Sequence, residues 1–269
     1  MKIIEWKKPR ENCENAFEKM LWDCENALEN PHLIYKADSV KYVGKIPKKE
    51  ENGGKYYTEY ISHYILENGI LDKIKEFCRA EEADYHAHDF SKIKFSKSDE
   101  VKGFRREENI AYGLCKNSKS IDGSYSKFLD YQYPVVLLHN KDKIKSESFG
   151  KLDLIYKNQK ITYITELKHD KSPETLLRCV TEISTYYHQI NKKRFCEHFN
   201  CNMDQIGKAV MIFKDTKPYQ EYTDMMAGNR PNLKKLCEKE GITFFRIESD
   251  NLTLDIIPCE ETRYTITKM

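Results

Sequence analysis

Phe149-Gly150-Lys151-Leu152-Asp153-Leu154-Ile155-Tyr156, the polar link Lys157-Asn158-Gln159-Lys160, and Ile161-Thr162-Tyr163-Ile164-Thr165-Glu166-Leu167-Lys168 form the stretch that decides how this chain folds. Both arms are rich in aromatic and β-branched residues, and the link between them is polar. That pattern predicts two strands, Leu152–Tyr156 and Ile161–Leu167, joined as a hairpin. With a tight turn at Asn158-Gln159, Lys157 is expected opposite Lys160, Ile155 opposite Thr162 and Asp153 opposite Ile164. Opposed residues point to one side of a sheet and side chains alternate along each strand. Asp153, Glu166 and Lys168 then share one face. Leu152, Leu154, Tyr163 and Leu167 take the other.

Working outward, Asp130–His139 reads as a strand whose buried part is Pro134-Val135-Val136-Leu137-Leu138, and residues 104–117 read as a helix before it. Pro173 is expected to open a long helix to about Asn191, since proline suits a first helical turn. Ala209–Phe213 and Ile242–Ile247 are further strands, with a helix near Asn232–Glu240 between them. Helices mixed with strands in this order predict an α/β domain with a mixed central sheet flanked by helices. Nearer the start, Cys13, Ala16, Phe17, Met20, Leu21, Cys24, Ala27 and Leu28 recur at helical spacing and predict a helix over 11–29, stopped by Asn30-Pro31. His32–Tyr35 and Val40–Val43 read as short strands, Lys48–Lys55 as a charged loop, and 56–79 as helix interrupted near Gly69. Residues 81–101 carry no assignable pattern. The expected organisation is a mostly helical N-terminal elaboration over 1–100 and a core over 101–269.

Two carboxylates and an ammonium on one side of a hairpin are suited to phosphodiester chemistry. Carboxylate oxygens bind Mg²⁺ or Mn²⁺, and Mg²⁺ sites use one or two of them together with waters and substrate phosphate. Such an ion acidifies water and offsets charge developing on a phosphoryl group. A lysine two residues from a ligand is placed to orient that water. The competing reading of Glu-x-Lys alone is an exposed strand face with an ion pair. Here, however, the apolar strand ends in the charged pair, and Gly150-Lys-Leu-Asp153 lies on its partner.

Gly150-Lys151-Leu152-Asp153 followed by Glu166-Leu167-Lys168 and then a helix resembles the core of the PD-(D/E)XK, restriction-endonuclease-like nuclease superfamily. The resemblance spans about residues 100–260, with its motifs inside 104–190. It implies a restriction-endonuclease-like fold and Mg²⁺- or Mn²⁺-dependent cleavage of nucleic acid, DNA before RNA. It also implies metal ligation by Asp153, Glu166 and the main-chain carbonyl of Leu167, with Lys168 acting at the attacking water. Leu152 stands where the motif has proline. The family often adds a glutamate from the preceding helix. On the helix over 104–117, with about 100° per residue, Phe104, Ile110, Ala111, Leu114 and Cys115 define an apolar face. Glu107 lies near its centre and Glu108 well off it, so Glu107 is the expected residue and Glu108 the fallback. Glu182-x-x-x-Tyr186 stands near where some relatives carry Gln-x-x-x-Tyr. A core role for Tyr186 is preferred to contact with DNA.

The net charge of +2 over 269 residues excludes a polycation, so any nucleic-acid contact must come from local clusters such as Lys168, Lys171 and Arg178. No apolar run approaches the length of a membrane span, which predicts a chain with no membrane role. The nine cysteines, an odd number in a long chain without a secretory start, predict reduced thiols and a cytoplasmic setting. Cutting both strands of a duplex commonly takes two active sites, so a homodimer is among the expected assemblies. His86 and His88 in Asp84-Tyr-His-Ala-His-Asp89 suit Zn²⁺, as does Cys196-Glu-His198-Phe-Asn-Cys201, but neither brings a full ligand set. Two alternatives therefore stand beside the nuclease: a nucleic-acid-binding or protein-interaction module with the fold but no activity, and a zinc hydrolase on His86 and His88.

Overall fold

Asn15 accepts a hydrogen bond from the Glu18 N–H at 3.0 Å, and this cap starts the first helix, α1 (Ala16–Glu29). The cap explains why the helix begins later than its apolar spacing alone predicts. The computed structural model describes residues 10–77, 106–116, 127–137, 147–249 and 264–269. The expectations at His86 and His88, at Phe104 and over 81–101 lie outside these residues.

The two short strands expected at His32–Tyr35 and Val40–Val43 are instead 3₁₀ turns, Pro31–Lys36 and Asp38–Lys41. Pro31 opens the first, and Asp23 accepts the Ser39 N–H at 3.1 Å in the second. Ile34, Tyr35 and Val40 are buried there. Four-residue apolar runs do not distinguish a strand from a buried turn. The helical stretch that follows is broken as expected: α2 (Tyr57–Asn68) and α3 (Ile70–Phe77) are separated by Gly69 at φ 58°, the left-handed position where glycine closes a helix without strain.

The remaining elements are α4 (Arg106–Lys116), β1 (Lys127–Leu137), β2 (Glu147–Lys157), β3 (Thr162–Lys168), α5 (Leu176–Gln189), α6 (Lys192–Phe199), β4 (Ile206–Phe213), α7 (Lys217–Met226), α8 (Pro231–Glu240), β5 (Ile242–Ser249) and β6 (Tyr264–Lys268). Among the described residues, six strands form one open mixed sheet in sequence order. The β1–β2, β2–β3 and β5–β6 pairs are antiparallel; β3–β4 and β4–β5 are parallel and joined through helices. This is an α/β architecture. One face carries Ile155, Ile164, Val210 and Ile212 against α5 and the N-terminal helices; the other carries Leu154, Tyr163, Leu167 and Met211 against α4. No helix among the described residues is long and apolar enough to cross a membrane.

The hairpin departs from its expected register by two residues. Leu154 pairs with Thr165, Ile155 with Ile164, Tyr156 with Tyr163 and Lys157 with Thr162. The turn is longer because the Asn158 side chain accepts the N–H groups of Lys160 and Ile161, at 2.9 and 2.7 Å. An even shift leaves the side chains on their expected faces, whereas a slip of one would have reversed them. Leu152 is the exception: it joins the cluster of Ile155 and Ile164 rather than that of Leu154. Its partner Tyr133 changes sides with it relative to Tyr131, across Gln132 at φ 54°. The strand pair is therefore locally twisted over at Asp153.

Candidate functional site

Asp153 and Glu166 stand on adjacent strands, where the Asp153 carboxylate accepts the Leu167 N–H at 2.9 Å. Lys168 ends β3, and its Nζ lies 2.5 Å from Glu166 Oε1, 3.1 Å from Glu174 Oε2 and 3.7 Å from Glu107 Oε1. The sequence-expected set of Asp153, Glu166, Lys168 and Glu107 thus lines one cavity of about 620 Å³. Glu108 lines it too, but the ion pair to Lys168 comes from Glu107. Leu167 stands between Glu166 and Lys168 with its backbone N–H on Asp153.

Two sets of contacts hold this arrangement. Arg106, beside Glu107 in the first turn of α4, forms a two-point ion pair with Asp170 at 2.6 and 2.8 Å, which ties that turn to the segment leaving β3. On the other side, Thr175 caps α5 by accepting the Arg178 N–H at 3.2 Å and donates its hydroxyl to the Val40 carbonyl. Glu221 accepts the Leu176 N–H at 2.8 Å. The capped α5 start puts Glu174, Arg178 and Glu182 in the cavity wall, with Arg178 2.7 Å from Glu174 and 3.6 Å from Glu182. The long helix begins at Leu176 and not at Pro173 because Thr175 supplies the cap.

Glu174, Arg178 and Glu182 line the cavity; sequence reasoning did not name Glu174, and met Arg178 only in a basic cluster and Glu182 only at the relatives' glutamine position. Their available signal was the i, i+4 spacing of Glu174, Arg178 and Glu182, which on a helix start reads equally well as a solvent-facing ion-pair row. Tyr186 is 4% exposed and packs edge-to-face on Tyr35, 5.6 Å between ring centres, while its hydroxyl donates to Glu182 at 3.2 Å. It belongs to the core and also to the cavity wall. The 3₁₀ turn at Tyr35-Lys36 completes the wall, so the N-terminal elements contribute to the site.

Electrostatics follow from burial among like charges. Burial pushes the Asp153 carboxyl up to about 7, Glu107 adds to the rise, and Lys168 and the Leu167 N–H oppose it. Burial and then the Asp153 carboxylate raise Glu166 well above the usual carboxylate range, with Lys168 opposing. Burial depresses Lys168, but the carboxylates around it outweigh that and hold it above its ordinary value. Among the described residues, six carboxylates and four cationic side chains line the cavity, a formal deficit of two positive charges. Glu182 Oε2 is buried without a hydrogen bond. A divalent cation would offset that deficit, and Asp153 and Glu166 are the oxygen donors suited to one. Among the described residues no three His, Cys, Asp or Glu groups already form a metal centre; a Mg²⁺ site does not need one, because water and substrate phosphate complete its shell.

Gly150 lies where β2 passes Tyr186. A Cβ there would sit 2.3 Å from the Tyr186 hydroxyl and 2.8 Å from its Cζ. Gly150→Ala is expected to cost about 1–3 kcal/mol, as overpacking does. Thermal unfolding checks it, and adding Tyr186→Leu should return part of the loss; a Gly150→Ala protein as stable as the parent would remove this steric reading.

No protein-family model, no curated protein and no solved structure matches this chain.

Proposed function

We propose that this chain is a divalent-metal-dependent nuclease of the PD-(D/E)XK type, hydrolysing phosphodiester bonds in DNA on a restriction-endonuclease-like form of its α/β fold. One observation carries the reading. Lys168 meets Glu166 at 2.5 Å, in one cavity with Asp153, whose carboxylate is tied to the Leu167 N–H. An ion pair serving only to decorate a strand face would lie in solvent. Here Glu166 and Lys168 are 2% and 4% exposed, so the pair carries a desolvation cost that stability alone gives no reason to keep.

In this reading Asp153 and Glu166, with the Leu167 carbonyl, would hold Mg²⁺ or Mn²⁺. When bound, the ion offsets phosphoryl charge and eases the ionisation of water. Lys168 presents N–H donors to the attacking water and to the phosphoryl oxygens. Glu166 and Glu174 fix its ammonium in place, and Glu107 accepts from water at the cavity mouth. Arg178 balances Glu174, so that Glu174 anchors Lys168 without adding net charge.

The direct test incubates the protein with circular plasmid, single-stranded DNA and RNA, in Mg²⁺, Mn²⁺ or chelator. Metal-dependent cleavage of DNA is expected. Salt-sensitive binding with no cleavage in either metal would instead favour the non-catalytic module, and cleavage of RNA alone would move the substrate.

Metal binding also has a stability signature. Asp153 and Glu166 titrate higher in the folded chain than unfolded. In chelator the Asp153 contribution is full below about pH 4 and is lost as pH rises through about 7, and that of Glu166 has the same sign. Metal binds the deprotonated carboxylates, so its effect runs the other way. Mn²⁺ at a hundredfold excess over Kd is expected to add about 2.7 kcal/mol, or about 5–10 °C in Tm for a chain of this size. The gain should appear near pH 8 and vanish near about pH 4. An equal gain at both pH values, or none in Asp153→Asn and parent alike, would count against these ligands.

A further inference from the structure

The end of α6 brings a second chemistry together. Cys196 lies in the last turn, Asn200 follows the helix in the left-handed conformation at φ 47°, and the Cys201 N–H donates back to the Cys196 carbonyl at 3.2 Å. This is the six-to-one closure of a Schellman cap, in which the side chains at its two ends come into contact as a rule. In most proteins that contact is between apolar groups. Here both are cysteines, and their sulfurs are 3.7 Å apart.

Reachability singles out the same pair. Among the described residues Cys13, Cys24, Cys115, Cys179 and Cys237 are buried, while Cys196 and Cys201 are both partly exposed. The cap is itself held down. Lys157 Nζ donates to the carbonyls of Phe199 and Asn200, at 3.3 and 2.9 Å, and Phe195 and Phe199 pack on Tyr133. The two thiols therefore stay neighbours on a firm base. Their sulfurs, 3.7 Å apart, need approach by only roughly 1.7 Å to reach disulfide bond length.

We propose that Cys196 and Cys201 form an oxidisable dithiol, a modification site that closes to an intramolecular disulfide on exposure to a hydroperoxide. Burial, and then the neighbouring Cys201 sulfur, push the Cys196 thiol up to about 11, which disfavours its thiolate as the first nucleophile. The Cys201 thiolate attacks one peroxide oxygen, the O–O bond breaks, and the departing oxygen leaves as water once protonated. The resulting sulfenic acid is attacked at sulfur by Cys196. The S–S bond forms, the S–O bond breaks, and a second water leaves, made of the sulfenic hydroxyl and the Cys196 proton. The two thiols give up two electrons and the peroxide takes them.

The test treats the folded full-length chain with hydrogen peroxide, blocks remaining thiols by alkylation, and maps peptides by mass. The expected result is an unalkylated peptide carrying Cys196 and Cys201, lighter by two hydrogens and restored by dithiothreitol, while the buried cysteines stay reduced. Cys196→Ser should stop at a dimedone-reactive sulfenic acid on Cys201, and Cys201→Ala should give no linked product. The proposal is overturned if both thiols remain alkylatable while buried cysteines oxidise. It is also overturned if both over-oxidise without a linked form, or if the purified chain holds stoichiometric zinc lost in either variant.

Discussion

Replacing Lys168 by methionine is expected to lower DNA cleavage by about 10³-fold, the scale of losing a charged donor aimed at developing negative charge. Asp153→Asn should do the same through the metal. The stability consequences differ, and that difference makes the test informative. Lys168 is 4% exposed and touches the carboxylates of Glu166, Glu174 and Glu107. Taking the cation away leaves Glu166 buried without its partner, a change that costs about 3–5 kcal/mol when nothing relaxes. Protonation of Glu166 absorbs part of that cost, since its proton affinity is already raised. Pairing Lys168→Met with Glu166→Gln should therefore recover folding without recovering cleavage. Glu197→Gln, at an exposed ion pair with Arg194 at 3.1 Å, serves as the control that leaves both unchanged. Cleavage and Tm measured on the four proteins separate chemistry from scaffold. Parent-level cleavage by soluble Lys168→Met would end the nuclease proposal.

The central trio was legible because its placement depends on parity. Asp153, Glu166 and Lys168 share a face in any even register, so a turn misjudged by two residues did not move them apart. Leu152 was misplaced because its side depends on a local twist at Gln132, whose positive φ has no signature in a residue such as glutamine. The wall residues were illegible for another reason. Glu174 and Arg178 reach the cavity only because Thr175 starts α5 at that point and Glu221, from α7, meets its first free N–H. The Thr175 cap is local, but the Glu221 contact joins segments distant in sequence, and periodicity within one segment cannot report it. The 3₁₀ turns were missed likewise. Tyr35 and Val40 are buried by α5 and its neighbours, and their apolar character gives no hint of which backbone form carries it.

The same long-range logic predicts a large effect far from the cavity. Arg230 is 2% exposed, its guanidinium 3.9 Å above the Tyr56 ring and its Nη1 2.5 Å from the Thr58 hydroxyl and 3.5 Å from Glu221. Next to it, Glu59 of α2 accepts the N–H groups of Asn232 and Leu233 at 2.6 and 3.2 Å and so caps α8. The N-terminal helices therefore end the backbone bonding of the sheet's own helices, and Arg230 is the clasp between them. Arg230→Met is expected to cost about 3–5 kcal/mol, because Glu221 stays buried without its cation. Arg230→Lys should recover little, since lysine lacks the planar fork and the stacking surface. The loss reaches the cavity by a definite route. Glu221 accepts from the α5 start and is ion-paired with Arg230, so a Glu221 that turns away to recover solvent releases Leu176 and, with it, the turn that holds Glu174 against Lys168. Urea unfolding followed by both far-ultraviolet dichroism and tryptophan fluorescence reads the outcome, with Trp22 in α1 reporting on the N-terminal helices. Coincident transitions, both moved to lower urea in Arg230→Met, are expected of one cooperative unit. If the tryptophan signal moved alone while the dichroism of the sheet and cleavage held, the N-terminal helices would be an appendage and the clasp would have no bearing on the site.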